Sequence, residues 1–179
     1  MTEIGSVYAR ALYDLAKEED LCRDILDELT VLQKAFAENG DFIRLLSAPN
    51  LSKDTRCQIV DDSFAGKVQP YVLNFLKILT EKGYMRNFSD CCAAYRAIYN
   101  EENGILPVKV VTATALSPEQ HERLRAKLCT ITGKQVEMLC TVDPTCIGGI
   151  RLDYDGKCVD DTVQHRLQTM GKLLKNTVL

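Results

Sequence analysis

The spacing of apolar residues changes once along this chain, at Gly104, and that change limits the folds open to it. Before Gly104 the apolar residues recur at helical intervals, interrupted at Asn39-Gly40, Ala48-Pro49-Asn50, Ala65-Gly66 and Lys82-Gly83. Beyond it, β-branched runs appear. Intervals of three and four place side chains on one helix face, whereas strict alternation places them on one face of a strand. The chain therefore reads as mainly α: an N-terminal six-helix bundle over residues 1–104, then a small α+β domain over residues 105–179. Charge divides at the same place. Residues 1–104 hold 12 basic and 17 acidic side chains, and residues 105–179 hold 10 and 8.

The first two helices are marked by Ile4, Val7, Tyr8, Ala11, Leu12 and Leu15, and by Leu21, Ile25, Leu29, Leu32 and Phe36. A short third, Phe42 to Ser47, ends before Pro49, whose ring disfavours helical geometry in the residue before it. Ser52 is placed to cap a fourth that reaches Phe64. The fifth spans about Val68 to Lys82 and the sixth about Met85 to Asn103, with Gly104 as a left-handed cap. In the second part, Leu106 to Ala113 reads as a strand whose Pro107 belongs at its start or on an edge. Ser117-Pro118-Glu119-Gln120 sets an N-cap, an N1 proline and an N3 amide in order, so a helix follows to about Thr132. Gln135 to Val142 and Ile147 to Tyr154 read as strands, and Asp155-Gly156 as a type I′ turn into Lys157-Cys158-Val159. A final helix carries Val163, Leu167, Met170 and Leu174 on one face.

Composition excludes several kinds of function. A net charge of −3 and a pI near 5.5 do not supply the basic footprint a nucleic-acid binder needs. No stretch approaches the roughly 18 uninterrupted apolar residues of a membrane span, and Met1-Thr2-Glu3-Ile4-Gly5 lacks the layout of a secretory signal. The expectation is that the protein stays in the compartment where it is made, with its eight cysteines reduced. No C-x-x-C or H-x-x-x-H spacing converges on a metal, and His121 and His165 are the only histidines. The adjacent Cys91-Cys92 pair points two ways from a helix, one thiol inward and one outward. Gly148-Gly149 lacks a phosphate-loop continuation and marks a bulge or a close backbone approach. Asp61-Asp62 and Asp160-Asp161 read as helix-end charges or caps. No catalytic residue, metal ligand or cofactor site is expected.

The fifth helix is unusual. Val68, Tyr71, Val72, Leu73, Phe75, Leu76, Ile78 and Leu79 cover an arc of about 220°, twice the stripe one core contact requires. Either the helix is central and surrounded by its neighbours, or part of the arc serves a partner. The first helix carries a strip of small residues, Gly5, Ala9 and Ala16, flanked by Leu12. Such a strip lets another helix approach closely, either inside the domain or as one wall of a groove for a helical partner.

Three segments, in order and at matching spacing, carry a resemblance. They are Tyr8-Ala9-Arg10-Ala11-Leu12-Tyr13-Asp14-Leu15-Ala16, then Leu73-Asn74-Phe75-Leu76 through Asn87-Phe88, then Gly148-Gly149-Ile150-Arg151-Leu152 through Asp160 to Leu167. Together they resemble the delta subunit of F-type ATP synthases, whose mitochondrial counterpart is the oligomycin-sensitivity-conferring protein. The resemblance implies a non-catalytic stator subunit, without cofactor, peripheral on the cytoplasmic face of the cell membrane. It implies that an alpha-subunit N-terminal helix lies in a groove between the first and fifth helices. Carried over by position, that groove involves Gly5, Tyr8, Ala9, Leu12 and Ala16, with Leu73, Leu76 and Leu79 opposite. The last helix, through Val163, Leu167, Met170 and Leu174, is then expected to meet the b subunits of the peripheral stalk. Asp161 stands where the family commonly has Gly, which bears on the local turn. The alternative from a different class is a cysteine-dependent redox sensor or thiol enzyme.

Overall fold

The structure, a computed structural model, describes residues 2–47 and 51–177, with side chains through Met170. Two compact units divide the chain, residues 1–99 and 100–179. The boundary lies a few residues before the expected one at Gly104, inside the helix that ends at Glu102.

Among the described residues the first unit holds α1 (Glu3–Glu18), α2 (Cys22–Glu38), α3 (Gly40–Leu46), α4 (Lys53–Phe64), α5 (Pro70–Lys82) and α6 (Phe88–Glu102). Their ends follow the local code. Ser52 Oγ accepts from Thr55 N at 3.1 Å, and Gly83 closes α5 at φ 76°, where a side chain would be strained. α5 starts two residues later than its apolar pattern does, because Pro70 takes the N1 position and Gln69 becomes the cap. The cap is completed from a distance: Glu28 Oε2 on α2 accepts from Gln69 N at 2.9 Å, setting a carboxylate at the positive end of α5. Met85–Asn87 forms a 3-10 turn, so α6 begins at Phe88. All six helices feed one apolar core, with Phe36 edge-on to Phe88 and Phe64 and stacked on Phe42. Tyr95 is enclosed there edge-on to Tyr13, and its hydroxyl donates to the Cys22 carbonyl at 3.0 Å.

The second unit holds β1 (Ile105–Thr112), α7 (Pro118–Thr132), β2 (Gln135–Val142), β3 (Ile150–Tyr154), β4 (Lys157–Asp160) and α8 (Val163–Thr177). The sheet order is β2-β1-β3-β4, with β1 parallel to β2 through the α7 crossover and antiparallel to β3. Leu106, Val108 and Val110 of β1, Val136 of β2 and Leu128 of α7 form its core. Pro107 precedes the β3 ladder, which begins at Lys109, so no pairing residue of β3 lies opposite it. Ser117 and Gln120 form the expected capping box. Asp155 and Gly156 both have positive φ, as a type I′ turn demands. The strand expected from Ile147 starts only at Ile150, since Pro144–Cys146 makes a 3-10 turn and Ile147 is left-handed.

Gly149 carries the tightest backbone approach in this unit. At φ 82°, any Cβ on it would overlap the Asp161 carbonyl oxygen and lie 3.0 Å from Thr162 Cα. Around it Asp161 N donates to Ile150 O and Val163 N to Gly148 O, each at 3.0 Å. Asp160 Oδ1 accepts from Thr162 N and Oγ1, and Thr162 Oγ1 caps α8 by accepting from His165 N. Asp161 itself does not adopt positive φ, so its presence in place of Gly costs no backbone strain.

Candidate partner-docking surfaces

α1 and α5 are neighbours and run antiparallel. The Tyr71 hydroxyl, near the start of α5, hydrogen-bonds Glu19, just past the end of α1, and this contact with the carboxylate holds the Tyr71 pKa above its ordinary value. At the other end, Tyr8 of α1 meets Tyr84, just beyond α5, with ring centroids 6.0 Å apart.

The faces these helices bury differ from those expected. On α1 the buried residues are Gly5, Ala9, Leu12, Tyr13 and Ala16: the small-residue strip faces the core. The reason is a close approach by α6, since a Cβ on Gly5 would lie 3.1 Å from Asp90 Cβ. Val7, Ala11 and Leu15, which share a helical pattern with Leu12, are exposed instead, Val7 by 63% and Leu15 by 47%. On α5, Val72, Leu76 and Leu79 are fully buried and Phe75 nearly so. Leu73, half-buried, lies on the flank of Lys77, whose ammonium pairs with Asp61 of α4 at 2.6 Å. The opposite flank, toward α1, carries Tyr71 and Ile78, the latter 44% exposed.

A groove built from Gly5, Ala9, Leu12, Ala16, Leu73, Leu76 and Leu79 is therefore corrected. Six of these belong to the core and the seventh turns toward α4; of the eight residues named for the groove, Tyr8 alone stays on the shared flank, half-buried. What α1 and α5 leave on the surface is a strip formed by Val7, Ala11, Leu15, Tyr8, Tyr71 and Ile78. Most of the wide arc of α5 is core, and one margin of it, with Tyr71 and Ile78, is turned outward.

In the second unit α8 is joined to the sheet region by its first turn, and Val163, Leu167 and Met170 on its apolar face are exposed. Leu174 lies outside the residues whose side chains are described. Cys91 and Cys92 are both buried, so the expected inward and outward split does not occur. Burial pushes their thiols up to about 11 and about 12. Cys140 and Cys158 are exposed, and hydrogen bonding to the Asp153 carboxylate raises the Cys158 thiol. A thiol reagent at pH 8 is accordingly expected to label Cys140 first, Cys158 more slowly, and Cys91 and Cys92 only on unfolding, as read by peptide mass spectrometry. Labelling of Cys92 ahead of Cys140 in the native protein would contradict this burial.

A helical unit with an outward apolar strip, joined in one chain to an α+β unit with an outward helix face, has the layout that a two-ended adaptor requires. The sequence profile of the ATP synthase delta (OSCP) subunit matches residues 4–174. The chain belongs to that family, as a non-catalytic subunit of the peripheral stalk, or stator. It is 30% identical to "ATP synthase subunit delta" of Desulfitobacterium hafniense over 173 residues, covering 97% of each chain. It is 29% identical to the protein of the same description in Alkaliphilus oremlandii, covering 98% of each, and 29% to that of Chlorobium luteolum, covering 93% and 92%. Its fold is like that of a chain in the Toxoplasma gondii mitochondrial ATP synthase hexamer, with a TM-score of 0.74 at 17% identity over 97% of this chain and 98% of that one. The thiol-enzyme alternative finds no support among these relatives. No helix among the described residues is long and apolar enough to cross a membrane.

Proposed function

We propose that the subunit holds the catalytic head of an F-type, proton-translocating ATP synthase to its peripheral stalk, at the cytoplasmic face of the cell membrane. The first unit, a six-helix bundle, binds the N-terminal helix of an alpha subunit. The second unit meets the b subunits through the α8 face of Val163, Leu167 and Met170. Torque from the turning rotor would spin the head unless a second connection to the membrane sector held it still, so the adaptor has to grip at both ends.

The observation that carries this reading is the outward strip of Val7, Ala11, Leu15, Tyr71 and Ile78, lying beside α5 residues that are fully buried. At about 25 cal/mol per Å², an amphipathic helix covering several hundred Å² supplies several kcal/mol before ordering costs. Exposed ion pairs alone give about 0–1 kcal/mol each and weaken with salt. The test is Ile78→Asp in the full chain, titrated with an alpha-subunit N-terminal peptide. Affinity is expected to fall by about tenfold or more while stability changes by less than about 0.5 kcal/mol, the usual result for a surface position. Unchanged affinity would remove α5 from the docking surface.

A further inference from the structure

Charge is distributed unevenly along the α1/α5 strip. At the end where α1 finishes and α5 begins, residues 14–20 carry Asp14, Glu18, Glu19 and Asp20 against the single cation Lys17. All four carboxylates are on exposed residues. Glu18 lies within the helical span of Val7, Ala11 and Leu15, and Asp14 borders it, by the 100° step of the helix. Glu19 is drawn toward the strip by its bond with Tyr71. At the opposite end, where Tyr8 meets Tyr84, the exposed cations outnumber the anions: Arg10, Lys82 and Arg86 against Glu3 and Glu81. The antiparallel arrangement thus gives one apolar strip with an acidic end and a weakly basic end.

We infer that the strip selects its occupant by charge: an amphipathic helix bearing Lys or Arg beside its apolar face, laid with that basic end over Asp14 and Glu18. This rests on the docking reading above and adds to it the polarity of the bound helix. Apolar burial supplies most of the affinity without fixing which end lies where, because area is non-directional. Opposite charges at one end fix it, and like charges there oppose the wrong placement. At physiological salt the screening length is about 8 Å, so basic residues seated directly on the acidic end feel it and those at the far end do not.

The experiment uses the full-length protein and three synthetic amphipathic helical peptides with one common apolar face, ending in a Lys pair, a Gln pair or a Glu pair. Anisotropy titrations at low salt are expected to rank them Lys, Gln, Glu, with about a fivefold gain for Lys over Gln from two exposed pairs. In Asp14→Asn/Glu18→Gln the ranking is expected to collapse while the Gln peptide keeps its affinity. In Asp14→Lys/Glu18→Lys the order is expected to reverse. Equal binding of all three peptides to the parent protein would overturn charge selection and leave the docking reading standing. Binding of none of them by folded protein would overturn the docking reading, and this inference with it.

Discussion

Leu76→Asp is expected to unfold the first unit, which would lose most of its helical circular dichroism at 37 °C. Leu76 is fully buried on the inner face of α5, in one core with residues of the other five helices. Replacing it removes a leucine's packing, worth about 2–5 kcal/mol, and sets a carboxyl group where nothing apolar can pair with it. The combined cost is about 5 kcal/mol or more, comparable with the whole stability of a small domain. The substitution therefore abolishes partner binding by destroying the binding unit. Ile78→Asp, two residues away on the outward flank, separates the two effects: it should spare the dichroism and lose the partner. A Leu76→Asp protein with native helicity and native thermal transition would mean that α5 is turned the other way.

The second large effect is expected at Gly149. Gly149→Ala meets two penalties: a non-glycine residue at φ 82°, costing about 1–2 kcal/mol, and a Cβ that overlaps the Asp161 carbonyl, costing about 1–3 kcal/mol more. Gly156→Ala is the matching control. Its φ is 70°, but an added Cβ meets nothing within 4 Å, so only the first penalty applies. In denaturant unfolding of the full chain, Gly149→Ala should destabilise the second unit by about 3 kcal/mol and Gly156→Ala by about 1 kcal/mol. Amide exchange should report the same difference locally, with Asp161 N and Val163 N losing protection in Gly149→Ala, since their bonds to Ile150 O and Gly148 O cross this approach. Equal effects of the two substitutions would show that the backbone at Asp161 can withdraw.

These residues also show which parts of the molecule were readable from sequence. Punctuation was legible because it is local chemistry. Ser52, Ser117 with Gln120, Gly83, Gly104 and the Asp155-Gly156 turn each act within a few residues of their own position. Gly148-Gly149 was legible as a close backbone approach, though nothing in the sequence named Asp161 as the neighbour. Facing was less legible. α1 carries two apolar stripes side by side, and hydrophobicity alone favoured the one with Val7 and Leu15. What buried the other included the approach of α6 to Gly5, a tertiary fact. On α5 the total arc was readable, but dividing it required knowing that Lys77 turns to Asp61 while Tyr71 turns to Glu19. The Glu28 cap on Gln69, 41 residues away, left no local signal. Most of the residues named for the groove thus proved to be core, and the outward residues of α1 and α5 are different ones.

The glycine and alanine seam behind α1 has a mechanical side. Side chains at Gly5, Ala9 and Ala16 have no rotamers to exchange, and at Gly5 the helix comes close to the α6 backbone at Asp90. A helix mounted this way has little slack: force applied to its outer strip passes into the rest of the unit without first being absorbed by reorienting side chains. For a part whose task is to resist rotation, compliance in the mounting would let the head turn through an angle before resistance built up. The stripe that looked like a place for a partner to enter is the inner seat of α1, behind the outward strip proposed for docking.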